Sequence, residues 1–233
     1  MFERPHHQRI ALVLSALNAK LLLQNKCLFG GGTAIALRYG EYRESVDIDF
    51  LVSDVACYRN LRQLLTGPAG IKAIALAQEP PFAQVKEVRA DQYGIRTVLR
   101  VAEYPIKFEI VLEGRIALAP AAAAEQVCGI ATLTALDMAA SKLLANSDQW
   151  ADDGVFNRDV IDLAMMQPSL PLLRQAVIKA QEAYGDAILR DLEKALLRLQ
   201  QRQGWLERCM LALSMAAPKA LVWQRLRALR KAL

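Results

Sequence analysis

The chain has no apolar run of the roughly 18–20 residues that a membrane-spanning helix needs. Its two longest candidates, residues 117–124 and 130–145, are broken by Pro120 and by Asp137 and Lys142. A secretion-leader pattern is also missing: Glu3 comes early in MFERPHHQRIALVLSAL, and the apolar positions behind it keep helical spacing. Histidine is scarce, and His6 and His7 lie at the N-terminus away from every motif below, so no role is expected for them. The four cysteines, at 27, 57, 128 and 209, have neither metal-site nor redox spacing. They read as reduced, mostly buried thiols. There is no internal repeat and no low-complexity tail. These absences leave a soluble, cytoplasmic protein with no membrane partner as the expectation. What is present is a 54% hydrophobic chain of 233 residues, enough for one large domain or two small ones. The net charge of +5 fits an anionic partner such as a nucleotide or RNA without requiring one.

Hydrophobic spacing predicts a helix over residues 8–24 and a short strand at 27–29. Gly30, Gly31, Gly32 and Thr33 follow, then a helix over 34–39 ended by Gly40. The segment VDIDFLV, residues 46–52, reads as a buried strand, and 54–65 as a helix. Gly67-Pro68 and Gly70 mark a break. Two strands, 95–103 and 106–112, lie on either side of Tyr104-Pro105 and form a hairpin or neighbouring strands. The Ala-rich connector 120–124 is the expected boundary between an α/β domain, 1–124, and a helical domain, 125–233. Helices are expected near 132–147, 156–166, 170–183, 186–202, 205–215 and 218–232, punctuated by Pro168, Pro171, Gly185, Gly204 and Pro218.

The chemistry sits in GGGTAIALRYGEYRESVDIDFLV. Side chains alternate along a strand, so Asp47 and Asp49 share a face while Ile48 and Phe50 point into the core. Two carboxylates about 7 Å apart repel unless something neutralises them. Mg²⁺ does so well, because it prefers oxygen ligands and binds one or two carboxylates together with substrate phosphates. Alone, the pair reads more readily as two exposed acids on the open face of a half-buried strand. The glycine turn ahead of a helix changes that reading. It offers backbone N–H groups and a positive helix end to phosphates, and Thr33 adds a hydroxyl. On the strand 106–112, Lys107, Glu109 and Val111 share one face. If this strand lies beside 46–52, Glu109 completes a three-acid site suited to two ions about 3.5–4 Å apart; otherwise it pairs with Lys107 or Arg115. Lys142, in an otherwise apolar helix, either snorkels to solvent or is aimed at phosphate across a cleft between the two parts. Asp159 and Asp162 share a helix face, with Arg158 placed to pair with Asp162 or Glu109. Arg43 and Ser45 precede the metal strand as second-layer residues within reach of a γ-phosphate, although Ser45 serves equally as a turn cap. Trp150, Trp205 and Trp223 read as packing anchors. The basic end carrying Arg225, Arg227, Arg230 and Lys231 reads as a solvated amphipathic helix rather than an RNA surface.

Four segments, in order, resemble the AbiEii/AbiGii-type nucleotidyltransferase toxins of the DNA polymerase β-like superfamily. They are Gly32-Thr33 with Arg43-Glu44-Ser45-Val46-Asp47-Ile48-Asp49-Phe50; Lys107-Phe108-Glu109; Leu136 to Lys142 in LDMAASKLLA; and Arg158-Asp159-Val160-Ile161-Asp162-Leu163. The resemblance covers residues 28–164. It implies an α+β fold, in which a polymerase β-like α/β domain with a mixed sheet precedes a C-terminal helical bundle. It also implies triphosphate contacts from Gly32 and Thr33, to which the glycine turn and the segment before the strand add Gly31 and Ser45 as expected contacts, and magnesium ligation, as two ions, by Asp47, Asp49 and Glu109. Lys142 would neutralise phosphate. Asp159 would act as base or acceptor-positioning group, with Asp162 as its structural partner. Arg43, Lys107 and Arg158 would support them. Three departures stand out: Thr33 replaces the family's usual Ser, the spacing from Thr33 to Asp47 is slightly longer than usual, and Phe156 occupies a position that is often basic. The implied activity is transfer of a nucleoside monophosphate from a triphosphate to an acceptor hydroxyl, with the 3′ end of tRNA as leading acceptor. The implied setting is the toxin of a toxin–antitoxin or phage-defence pair, with a cognate antitoxin as partner. The rival readings are a nucleotidyltransferase acting on an antibiotic or metabolite, and a non-catalytic nucleotide- or partner-binding module.

Overall fold

Three phenylalanines of the short apolar segments pack in a row, with tilted rings, across neighbouring strands of one sheet. Phe29, Phe50 and Phe108 lie in that order with successive ring centroids 5.6 Å apart, and all three are buried. The computed structural model describes residues 2–122 and 124–233; Ala123, within the expected connector, lies outside them.

The chain divides into two compact units: Met1–Arg38 with Ser45–Thr134, and Tyr39–Glu44 with Ala135–Leu233. In the first unit the strands are β1 (Leu28–Gly30), β2 (Ile48–Val52), β3 (Ala83–Gln84), β4 (Arg89–Ala90), β5 (Gly94–Val101) and β6 (Tyr104–Leu112). They form one mixed sheet in the order β1-β2-β6-β5-β3, with β4 also on β5. Only β2 and β6 run parallel; the other pairs are antiparallel. A two-stranded hairpin, β7 (Gln126–Val127) and β8 (Ile130–Ala131), follows. It stays with the sheet, because the Leu133 N–H donates to the Phe29 carbonyl at 3.0 Å.

The helix expected over 8–24 is two helices, α1 (Pro5–Ala16) and α2 (Ala19–Gln24). Leu17 turns extended, and the Asn18 side chain then accepts the Leu21 N–H at 3.0 Å, capping a new start. Helix α3 (Gly31–Arg38) begins directly on β1, so Gly30 ends the strand and Gly31 and Gly32 open the helix, with no separate loop between them. Helix α4 (Val55–Leu65) is capped by Asp54, which accepts from the Ala56 and Cys57 N–H groups. The β5–β6 hairpin turns at residues 102–103, with Ala102 at φ 50°, so Tyr104 and Pro105 lie within β6.

The second unit is built from α5 (Ala135–Gln149), α6 (Arg158–Met165), α7 (Leu170–Tyr184), α8 (Ala187–Gln201), α9 (Trp205–Ala212) and α10 (Lys219–Leu229). Trp205 is its largest buried side chain. Its indole N–H donates to Asn157 Oδ1 at 2.7 Å, and Asn157 Nδ2 donates to the Trp150 carbonyl. The Arg202 guanidinium lies 4.1 Å above the same ring, a favourable cation–π distance. The segment 39–44 is held into this unit by the Glu44 N–H on the Leu213 carbonyl and the Ala216 N–H on the Tyr42 carbonyl. Among the described residues no helix is long and apolar enough to cross a membrane, and all four cysteines are free thiols.

Candidate active site

One face of the sheet carries a transverse row of chemistry. Pairing registers place Gly30 opposite Asp49, Asp49 opposite Glu109, Glu109 opposite Arg96, and Arg96 opposite Arg89. Directly paired residues project to the same side, and neighbouring strands lie about 4.8 Å apart. Acids therefore occupy the β2–β6 half of the row and arginines the β5–β4 half. Asp47 stands one residue before β2, half-buried like Asp49, while Ile48 and Phe50 between and beyond them are fully buried. The alternation follows the phase of the sequence pattern.

Gly31 fixes how closely the first helical turn approaches this row. Its φ is +67°, and a Cβ added to it would stand 2.5 Å from Asp49 Oδ2. Only a residue without a side chain brings strand end, helix start and carboxylate this close. Gly32 follows, half-buried. Thr33 is buried rather than exposed to a ligand, and its hydroxyl donates to Ser45 Oγ at 2.8 Å. The Ser45 N–H in turn donates to Nε2 of the fully buried His7 at 3.1 Å, and His6 Nε2 lies 3.1 Å from the Val46 carbonyl. The two histidines thus hold the strap leading into Asp47, which corrects the expectation that they stand apart from the motifs. In accepting this bond, Nε2 of His7 carries no proton.

Glu109 is adjacent to Asp49 in register but turned the other way. Its Oε1 lies 2.6 Å from Arg96 Nε, and Arg96 Nη1 lies 3.0 Å from Asp91 Oδ2. Asp91 also accepts the Tyr93 and Gly94 N–H groups, which hold its carboxyl below the usual range. Burial would lower the Arg96 guanidinium, but Glu109 and Asp91 outweigh it and raise it. Neither Lys107 nor Arg115 is the partner of Glu109; Arg115 pairs with Glu113 at 2.7 Å. Among the described residues, no three of His, Cys, Asp or Glu converge to hold a metal ion. Of the three acids expected at the metal, Asp47 and Asp49 are half-buried at the start of β2, and Glu109 is held by Arg96.

The expected third and fourth motifs meet in the helical unit as a buried charge cluster. Lys142 Nζ lies 2.8 Å from Asp159 Oδ1 and 2.7 Å from Asp162 Oδ2. Arg43 binds Asp162 with both Nε, at 2.6 Å, and Nη2, at 2.9 Å. The Tyr42 hydroxyl donates to Asp162 Oδ1, and Gln149 Nε2 to Asp159 Oδ2, each at 2.6 Å. Lys142 is only 7% exposed and Arg43 4%. The ammonium neither snorkels to solvent nor stands free for phosphate, and Arg43 faces Asp162 instead of a γ-phosphate. Arg158 is exposed, and the partners once open to it are taken by others. Burial alone would raise the Asp162 carboxyl, but Arg43 and Lys142 outweigh it and hold the group well below the ordinary range. Burial likewise would lower Lys142, and the two aspartates raise it instead.

A family model described as the nucleotidyl transferase AbiEii toxin of a type IV toxin–antitoxin system matches residues 12–228. Comparison with curated proteins finds no match. Among solved structures, JHP933 from Helicobacter pylori is 18% identical, with 99% of this chain and 96% of that one covered and a TM-score of 0.47. A candidate nucleotidyltransferase from H. pylori is 15% identical over 100% and 99% of the two chains, with a TM-score of 0.41.

Proposed function

Since the chain belongs to the AbiEii family of nucleotidyl transferase toxins of type IV toxin–antitoxin systems, we propose that it moves a nucleoside monophosphate from a nucleoside triphosphate onto an acceptor hydroxyl at the acidic end of the sheet row. The observation that carries this reading is the approach of Gly31 to the Asp49 carboxylate. It sets the first N–H groups of α3 beside the acid pair, where a polyphosphate and its counter-ion are stabilised together. Asp47 and Asp49 fit a hard divalent cation such as Mg²⁺, with Glu109 as a further oxygen donor. When bound, such ions polarise the phosphoryl oxygens and lower the acceptor hydroxyl's pKa. Gly31 and Gly32 present backbone N–H groups to the phosphates. Ser45, positioned by Thr33 and His7, turns its hydroxyl proton toward them. Lys142, Arg43, Asp159 and Asp162 keep the helical unit in shape and act on the reaction only through that shape. The acceptor is RNA, with the 3′ end of tRNA first among RNAs, and the partner is the cognate antitoxin.

The test is incubation with each α-labelled triphosphate, Mg²⁺ and total tRNA. A labelled RNA band is expected, absent without the metal and in Asp49→Asn. Full labelling by Asp47→Asn and Asp49→Asn would overturn the reading. Label on a small molecule in place of RNA would favour the metabolite reading.

A further inference from the structure

Beyond Glu109 the sheet face opens into a cleft of about 620 Å³. Its walls carry Lys86, Arg89, Arg96 and Lys107 against only two acids, Glu87 and Glu109. Arg96 is satisfied by Glu109 and Asp91. Among the described residues Lys86, Arg89 and Lys107 have no acidic partner, and all three are exposed. Arg89 stands directly across from Arg96, and Lys107 lies two residues before Glu109 on the same face of β6. Three unneutralised cations thus converge on one cleft whose inner edge is an acid of the proposed catalytic row.

We infer that this cleft seats the phosphodiester backbone of the acceptor, a single-stranded RNA end, and leads its terminal hydroxyl along the row toward Asp49. The inference rests on the nucleotidyl-transfer reading and deepens it by placing the acceptor. The triphosphate's own phosphates have their seat on the opposite flank of Asp49, at Gly31 and the start of α3, so the two anionic substrates approach the acids from either side. The cleft's aromatic lining residue, Phe108, is buried. Without an exposed ring to stack on bases, contact here is with phosphates, and it carries little sequence preference.

The experiment is fluorescence anisotropy of a short labelled single-stranded RNA with a free 3′ hydroxyl, titrated with the full chain. A parallel equilibrium dialysis uses a non-hydrolysable triphosphate. Three neutralised phosphates give a salt slope of about −2, a loss of about fifteenfold in affinity between 50 and 200 mM salt. The triple variant Lys86→Ala, Arg89→Ala, Lys107→Ala should bind RNA at least tenfold more weakly and lose most of that salt dependence. Its circular dichroism and triphosphate binding should stay at the wild-type level. The charge-keeping pair Lys86→Arg, Lys107→Arg should retain RNA binding. Unchanged RNA affinity in the triple variant, or no RNA binding by the wild type at the lower salt, would overturn the inference. Loss of triphosphate binding by the triple variant would also overturn it, since the cleft would then hold the donor's phosphates. A wild type that binds RNA through these three residues yet transfers no nucleotide would uphold the cleft and sink the proposed reaction instead.

Discussion

Two glycines with left-handed backbones separate what a side chain costs from what a close approach costs. Gly31 has φ +67° and no room for a Cβ beside Asp49, whereas Gly40 has φ +84° and nothing within 4 Å of its added Cβ. Gly40→Ala should lose only the backbone strain, about 1 kcal/mol, and keep nucleotidyl transfer. Gly31→Ala carries the same strain and must also displace the carboxylate. Its urea midpoint should fall further, by the equivalent of about 1–3 kcal/mol in all, and its divalent-ion affinity should drop with its activity. Calorimetric titration with Mn²⁺ checks this, and equal affinity in the two variants would refute it. The alternation of Asp47 and Asp49 with Ile48 and Phe50 was readable from the sequence, because a strand's period of two is local. His7 was not, because its partner Ser45 is 38 residues away and nothing in HHQRI marks a buried acceptor. The grip of Arg96 on Glu109 was hidden for the same reason: it depends on the register of β5 against β6.

At the level of elements, α5 and α6 meet through charges that the sequence showed as separate motifs. The i, i+3 spacing of Asp159 and Asp162 was legible as a shared helix face. That Lys142 and Arg43 both turn inward to meet it was not, since a lysine in an apolar helix reads equally as a snorkelling one. Removing one partner of a buried pair leaves an uncompensated charge and costs about 3–5 kcal/mol. Lys142→Met should lose stability of that order, because Asp159 keeps only the neutral Gln149. Adding Asp159→Asn should restore part of the loss, giving a coupling that a double-mutant cycle in urea measures. If Lys142→Met is as stable as the parent chain but inactive, the lysine acts on substrate and the structural role fails. Helix ends were predicted well where a capping side chain writes them locally, as Asp54 does for α4. The expected 8–24 helix failed at Asn18, where a cap inside an apolar repeat starts a second helix.

For the whole molecule, this cluster sets a pH window. Asp162 is depressed in the folded chain, so its contribution is complete above the unfolded value of about 3.9 and disappears as the pH falls toward the lower folded value. Lys142 is raised, so its contribution is complete below about 10.4 and fades as the pH climbs through its higher folded value. Urea midpoints should therefore be insensitive to these two groups between about pH 4 and pH 10 and should fall steeply in acid. Replacing Asp162 by Asn should flatten the acid limb; an unchanged limb would show that other carboxylates govern it. The α+β class and the order of parts were legible because strands cluster before helices in the sequence.

The excursion of residues 39–44 into the helical unit has a genetic corollary. The span that joins the glycine turn to the aspartates is folded by helices encoded more than ninety codons downstream. A gene cut after Thr134 would yield a product in which Tyr42 and Arg43 have lost Asp162, and its complement would lack both of them. Neither half is a self-sufficient cassette, so recombination or domain grafting in this protein has to carry the small upstream insert together with the downstream helices.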